Sequence, residues 1–169
     1  MIMNKGKIKT IVVDTNVYGW YLSYTLDGLR MSEVVNSFNL MSKILELKKP
    51  LVLGTEIIEM EIKAAGKPAL SELFYSIVGG IISKTKKIDK LALNYYDSCK
   101  KERLRLVTID DCEIVASADL SEAKIFVTEN RKTLNNPKVV NVITNVNAAE
   151  YVSNVKITDS KNALGEIFV

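Results

Sequence analysis

The stretch Lys7-Ile-Lys-Thr-Ile-Val-Val13, followed by Asp14-Thr15-Asn16, constrains this chain more than any other. A short β-branched apolar run reads as a buried strand, and here a carboxylate stands directly at its carboxyl end. In open α/β sheets, ligands bind in the crevice outside those carboxyl ends, so an aspartate at that point is placed for chemistry. Asp, Thr and Asn also favour turns and helix caps, and the stretch alone fits a plain cap equally well.

The chain has 169 residues, which is the size of one domain with a sizeable core, and it is read as a single domain over 1–169. It is 47% hydrophobic and 25% charged, as soluble globular proteins are, with a net charge of +3 that permits a polyanionic partner without demanding one. Histidine is absent. That excludes Ser-His-Asp and Cys-His nucleophilic machinery and histidine-bound zinc. The two cysteines, Cys99 and Cys112, lack metal-ligand spacing and read as reduced core residues. Any chemistry must therefore rest on carboxylates, lysine or hydroxyls. Nothing in the sequence resembles a signal peptide, and the apolar stretch from Phe74 to Ile82 is too short to span a bilayer. The expectation is a soluble, cytoplasmic protein with no membrane partner.

Val17-Tyr-Gly-Trp-Tyr-Leu-Ser-Tyr24 follows the first strand as an aromatic cluster on an irregular helix. Aromatic stripes of this kind are core before they are interface or stacking surface. Ser32 opens an amphipathic helix with Val34, Val35, Phe38, Met41, Ile44, Leu45 and Leu47 on its apolar stripe and lysines in its last turn; Pro50 stops it. Leu51-Val-Leu-Gly54 is a short buried strand, and Thr55 caps the next helix. There Glu61 is spaced to share the inner face with Ile57, Ile58 and Ile62, whereas Glu56, Glu59 and Lys63 fall toward solvent. Glu is seldom buried without a partner, so Glu61 is either functional or at a helix edge where it reaches water.

Pro68 to Ile77 forms another helix, which Gly79-Gly80 breaks. Ile88 to about Leu104 is amphipathic, and its outer face carries Lys100, Lys101, Arg103 and Arg105. With Lys84, Lys86 and Lys87 these form either a solvated face or one that attracts phosphate. Thr108 and Asp111 fit the N-cap and N3 positions of a capping box, with Ile114, Val115 and Ala118 along the face of Asp111. Asp111 either only caps or also points into the cleft, its anion favoured by the helix dipole. Asp110 and Glu113 are less aligned alternatives. Lys124-Ile-Phe-Val-Thr128-Glu129-Asn130 repeats the opening pattern of apolar strand and polar end, with Arg131 and Lys132 after it. Val139 to Ile143 reads as a last strand, Ala148 to Val155 as a short helix, and Ile167-Phe-Val169 as a tail that packs on the body or a partner.

Alternating short apolar strands and helices call for a three-layer α/β/α fold around a central, mainly parallel sheet of four to five strands. Three acids and an amide from separate segments then converge on one end of that sheet. At this point the chain resembles the PIN-domain family of metal-dependent nucleases. The resemblance rests on Val12-Val-Asp14-Thr-Asn-Val17, Thr55 followed by Glu61, Asp111-Cys-Glu-Ile-Val-Ala-Ser-Ala118 and Phe126-Val-Thr128-Glu-Asn130, and it runs from about Ile8 to Val152. There are two departures. Asn130 stands where many members carry a fourth acid, and the segment between Asn16 and Leu51 is longer than in compact toxin members of the VapC type.

The resemblance implies magnesium or manganese, which want hard oxygen ligands of the kind clustered carboxylates supply. It assigns catalysis and metal ligation to Asp14, Glu61 and Asp111, with Asn130 as a neutral carbonyl ligand. Thr15, Asn16 and Thr128 would orient those ligands, and Arg131 and Lys132 would hold flanking phosphate. The implied reaction is in-line attack of an activated water on an RNA phosphodiester. With one acid fewer, a single metal or a weakly held second is expected. RNA is the implied substrate; an antitoxin protein and a second copy of the chain are the protein partners left open, and with them the role of a toxin. The competing class is a PIN-like domain that binds RNA or protein without cutting. Asn130 and the modest basicity favour it, and the three retained acids disfavour it. A haloacid-dehalogenase-type phosphotransferase would need a second Asp where Asn16 stands, and a receiver domain would need an acidic pair near its start.

Overall fold

The computed structural model of the chain describes residues 9–168. Lys7 and Ile8 of the predicted first strand, and Val169 of the predicted tail, lie outside the described residues. β1 (Thr10–Val13) is buried along Ile11, Val12 and Val13 and ends at Asp14. A strand apolar on both faces belongs at the centre of a parallel sheet, and β1 lies there. It pairs in parallel with β2 (Leu51–Thr55) on one side and with β4 (Ile125–Val127) on the other. β3 (Val78–Ile82) and β5 (Lys156–Thr158) complete an all-parallel five-stranded sheet in the order β3-β2-β1-β4-β5.

The chain first steps from β1 outward through β2 to β3, then returns across β1 to form β4 and β5. Right-handed crossovers put the helices of the two directions on opposite faces. On one face α1 (Thr15–Thr25) packs on α2 (Ser32–Leu47) and α4 (Pro68–Ile77), α3 (Glu56–Ala64) packs on α4, and α8 (Ser160–Ile167) packs on α2. On the other face α5 (Lys86–Lys101) packs on α6 (Ile109–Asp119) and α7 (Pro137–Glu150). The order in which strands are added reverses between β1 and β4, and their carboxyl ends form the crevice where doubly wound sheets bind ligands.

The predicted three-layer architecture is present, and the sheet is entirely parallel. The aromatic cluster forms a regular helix, α1, in which Tyr21 and Tyr24 stack on Phe38 of α2 at 5.6 and 3.9 Å between ring centroids. Of the cluster only Val17 and Tyr18 are buried in the core, while Trp20, Tyr21 and Tyr24 are half-buried. Gly54 in β2 is required where Phe74 crosses the strand, since a Cβ there would stand 2.7 Å from the Phe74 ring. Cys99 and Cys112 are free and buried, and burial pushes the Cys99 thiol up to about 11 and Cys112 higher still. Among the described residues, no helix is long and apolar enough to cross a membrane.

Several elements differ from the sequence reading. Val139 to Ile143 is helical, within α7, because Val139, Val142 and Ile143 bury one side at helical spacing while Pro137 and the Asn136 cap start the helix. The helix predicted over Ala148 to Val155 is only the end of α7, which Tyr151 terminates in the left-handed region at φ 54°. The last strand is β5. The helix over Pro68 to Ile77 ends where expected, but Gly79-Gly80 after it lies in an edge strand, β3, that the sequence reading does not place, and its pairing with β2 shifts register beside Leu53. The lysines expected in the last turn of α2 follow the helix, with Lys48 as a left-handed cap.

Candidate active site

Asp14 is the centre of the site. Its backbone N–H still donates to Val127 of β4 at 2.9 Å, so the residue is the last rung of the β1–β4 ladder. Its side chain caps α1, with Oδ1 accepting from the Thr15 N–H at 2.8 Å. Oδ2 accepts from the Thr128 hydroxyl and from Asn16 Nδ2, both at 2.6 Å. Thr128 in turn accepts from Asn16 Nδ2 at 3.2 Å and from the Asn130 N–H at 3.1 Å, and Asn16 Oδ1 accepts from the Glu129 N–H at 3.1 Å. The cap reading and the functional reading of Asp14 are therefore not alternatives. One carboxylate caps the helix and stands in the crevice.

Asp14 is 6% exposed, and burial raises its pKa to about 6. The Thr128 and Thr15 donors oppose that rise, and the charges of Glu61 and Asp111 add to it. Glu61 as a residue is exposed, which is where the rim of α3 leaves it. Its carboxylate nevertheless turns back to accept from the Thr15 hydroxyl, and burial there, with the charges of Asp111 and Asp110, raises its pKa. Asp111 is half-buried and realises the capping box: Oδ2 accepts from the Thr108 N–H at 3.0 Å while its own N–H donates to Thr108 Oγ1 at 3.1 Å. Its pKa is also raised, by burial first and then against the opposing cap donors by Asp110. Among the described residues, no lysine or arginine forms an ion pair with any of the three acids. Their mutual repulsion has no protein cation to offset it.

The structure thus brings together Asp14, Thr15, Asn16, Glu61 and Thr128, with Asp111 near enough for its charge to act on Asp14 and Glu61. Asn130 joins the group through its backbone only; its side-chain oxygen accepts from the Thr133 N–H at 3.2 Å and caps the following turn. Glu113, an alternative to Asp111, is buried and bound to Lys84 at 2.9 Å. Arg131 lies 3.7 Å from Glu33 of α2. Glu59 stands apart, bound to Tyr75 at 2.5 Å and Lys63 at 2.9 Å. Sequence reasoning passed over Tyr18. It sits one turn into α1 with its hydroxyl buried and unpartnered, and burial together with the Asp14 charge raises its pKa strongly. Its place within an aromatic stripe concealed it, since such stripes read as core.

Do these residues fit a divalent cation? In donor chemistry they do: three carboxylates with hard oxygens, held in anionic geometry by neutral donors and lacking a cationic partner. The ligating array is not drawn together, however. Among the described residues no three such side chains are grouped closely enough to hold an ion as they stand. Glu61 Oε1 and Asp111 Oδ1 are the oxygens that their present hydrogen bonds leave unused.

No family model matches this sequence, and no curated protein sequence matches it. Among solved structures, the chain is similar to one from the crystal structure of VapBC2 from Rickettsia felis bound to a DNA fragment from their promoter. The TM-score is 0.56 at 14% sequence identity, over 89% of this chain and 98% of that one. At that identity the likeness shows the fold, which is PIN-like.

Proposed function

We propose that the chain is a magnesium- or manganese-dependent endoribonuclease. One observation carries the reading. Acids at the end of β1 and on α3 and α6 stand at the switch point of the sheet, and burial raises the pKa of each. The charges of Glu61 and Asp111 add to that rise at Asp14, and the charge of Asp111 adds to it at Glu61. Among the described residues no lysine or arginine pairs with any of them. Anionic clusters of that kind are costly to fold and are expected where a cation offsets them.

Asp14, Glu61 and Asp111 would hold the metal. When bound, the ion supplies an acidified water and neutralises charge on the phosphodiester. The chain's own residues do the rest. Thr128, Asn16 and the Thr15 N–H favour the anion of Asp14 and fix its plane, and Oδ1, which accepts one hydrogen bond against two at Oδ2, keeps an acceptor position unused. The Thr15 hydroxyl holds Glu61 at the mouth, where its carboxylate is placed to orient a water for in-line attack. The Thr108 cap fixes one oxygen of Asp111 and leaves the other available. Asn130 positions Thr128 through its N–H, and its side-chain oxygen accepts from the Thr133 N–H with one lone pair, leaving the other for the role of neutral carbonyl ligand expected from the sequence.

Likeness to a chain of a VapBC complex supports membership of a toxin–antitoxin pair, which would supply an antitoxin partner and a cytoplasmic setting. A second reading, an RNA- or protein-binding module that does not cut, draws on the open spacing of the acids and on the side-chain engagement of Asn130. Incubation of labelled single-stranded and hairpin RNA with manganese or with chelator separates the two. The nuclease reading expects cleavage in manganese that chelator stops and that Asp14→Asn abolishes. RNA binding without metal-dependent cleavage would establish the module.

A further inference from the structure

The basic stretch at the end of α5 takes no part in the site described above. Lys100, Lys101, Arg103 and Arg105 surround a single acid, Glu102, so these few residues carry a net charge equal to that of the whole chain, +3. The stretch from Lys84 to Lys90 carries the same local charge, but Lys84 and Lys90 there are held in ion pairs. None of Lys100, Lys101, Arg103 and Arg105 is in an ion pair among the described residues. Local structure holds them outward. Leu104 packs against the core and Val107 is buried, tied by N–H bonds to Cys99 and Leu104 at 2.9 and 3.3 Å, while Arg103, Arg105 and Leu106 stand exposed between them. Lys100 lies 4.1 Å above the Tyr96 ring, which leaves its ammonium facing solvent.

This loop opens a groove. Between α5 and α7 lies a cleft of about 380 Å³ walled by Glu102, Leu104, Lys138, Asn141 and Asn145, and it continues into a second of about 310 Å³ past Lys101 and Ser98. The two share Glu102, Val142 and Asn145, so they are one channel. Beyond Ala149, Asn94 and Lys90 of α5 meet Glu150 of α7 at 3.0 and 3.9 Å. The near end of the channel lies on the same edge as the acids: α7 starts just after the carboxyl end of β4, and the last turn of α5 adjoins the first turn of α6, where Cys99 acts on Cys112. A groove with Lys101 and Lys138 on its walls beside one acid, Glu102, two amides at Asn141 and Asn145, and an apolar floor of Val142, Val146 and Ala149 offers cations for phosphates and amides and apolar surface for bases.

We propose that this loop and groove bind single-stranded RNA, holding its phosphates at Lys101, Arg103, Arg105 and Lys138 and its bases against Asn141 and Asn145. Neutral amides suit base edges and cations suit the backbone. The channel is too small for a duplex, which could only lie across its mouth. The direction of the strand rests on the nuclease reading; the binding face does not.

The test is fluorescence anisotropy with a labelled oligouridine strand and a duplex of equal length, in chelator so that cleavage plays no part. For Lys101→Ala/Arg105→Ala, with the fold checked by circular dichroism, affinity for the single strand should fall about tenfold. The slope of log affinity against log salt should fall by about 1.4, as expected when two fewer phosphates of a single strand are neutralised. Asn145→Ala should weaken binding without changing that slope. Lys43→Ala/Lys161→Ala, on other faces, should leave both quantities as in the parent. Unchanged affinity and slope in Lys101→Ala/Arg105→Ala, an equal loss in the control pair, or tighter binding of the duplex would overturn the proposal. A parent that binds as described but never cleaves in manganese would sink the nuclease reading and leave this face standing.

Discussion

The Thr128 hydroxyl donates to Asp14 Oδ2 at 2.6 Å, joining the carboxyl ends of β4 and β1 where the strand order reverses. Thr128 is fully buried, and the same oxygen accepts from Asn16 and from the Asn130 N–H. One side chain therefore keeps a buried carboxylate charged and gathers the loop after β4 around it. Thr128→Val removes the donor and leaves two N–H groups without an acceptor, at a cost of about 2 kcal/mol. Thr128→Ser should retain most of that. Urea denaturation of the three proteins checks the order, and carboxyl NMR should show the Asp14 pKa higher in the Val variant.

Asp14 also sets a pH dependence. Its folded pKa, about 6, lies above the ordinary 3.8, so the folded state holds its proton more tightly than the unfolded chain does. The contribution to stability is full below about pH 4 and is lost as pH rises through 6. In chelator the ionised group then costs roughly 3 kcal/mol at neutral pH, from 1.36 kcal/mol per unit. Asp14→Asn removes that charge but spoils one hydrogen bond, worth about 1 kcal/mol, so the charge wins and the variant should melt higher at pH 7. The difference should vanish or reverse near pH 4. Melting curves across pH check this, and a gap independent of pH would contradict it.

Tyr18 carries a buried hydroxyl with no hydrogen-bond partner, an arrangement that costs about 1 kcal/mol or more. Tyr18→Phe keeps the ring packed edge-on against Phe74 and removes the orphan oxygen. Its stability in urea should equal the parent's or exceed it by about 1 kcal/mol. A loss of comparable size would mean that the hydroxyl is satisfied in solution.

Asn130→Asp preserves an acceptor for the Thr133 N–H and adds a negative charge beside Thr128. In chelator that charge adds to the repulsion among Asp14, Glu61 and Asp111, and the melting temperature should fall. In saturating manganese the variant should gain more than the parent does, through tighter binding to the folded state. Thermal melts in the two conditions measure both shifts. An identical manganese shift would place position 130 outside the cation's reach.

Much of this arrangement is legible in the sequence, and the exceptions have physical causes. The Thr108–Asp111 capping box could be read because both halves are local and spaced by one helical turn. Asp14 and Thr128 could be read because each directly follows an apolar strand. Glu61 shared the spacing of the buried isoleucines but emerged on the rim, since α3 is short and helix spacing does not tell where the neighbouring layer stops. Val139 to Ile143 misled because a β-branched run satisfies strand preference, while its start signals, Asn136 and Pro137, specify a helix. The partner of the Asn130 side chain, Thr133, is a matter of turn geometry, which residue types alone do not determine.

In the proposed reaction Asp14, Glu61 and Asp111 act as one metal-dependent centre, and Glu61 is its exposed member. Glu59, on the same helix, is held away by Lys63 and Tyr75. The most direct measurement is the manganese-dependent cleavage rate of a single-stranded RNA by Glu61→Gln and Glu59→Gln beside the parent. A shared centre predicts that Glu61→Gln loses on the order of a hundredfold or more, about 2.7 kcal/mol of transition-state stabilisation, while Glu59→Gln matches the parent. Cleavage by Glu61→Gln at the parent's rate would contradict it.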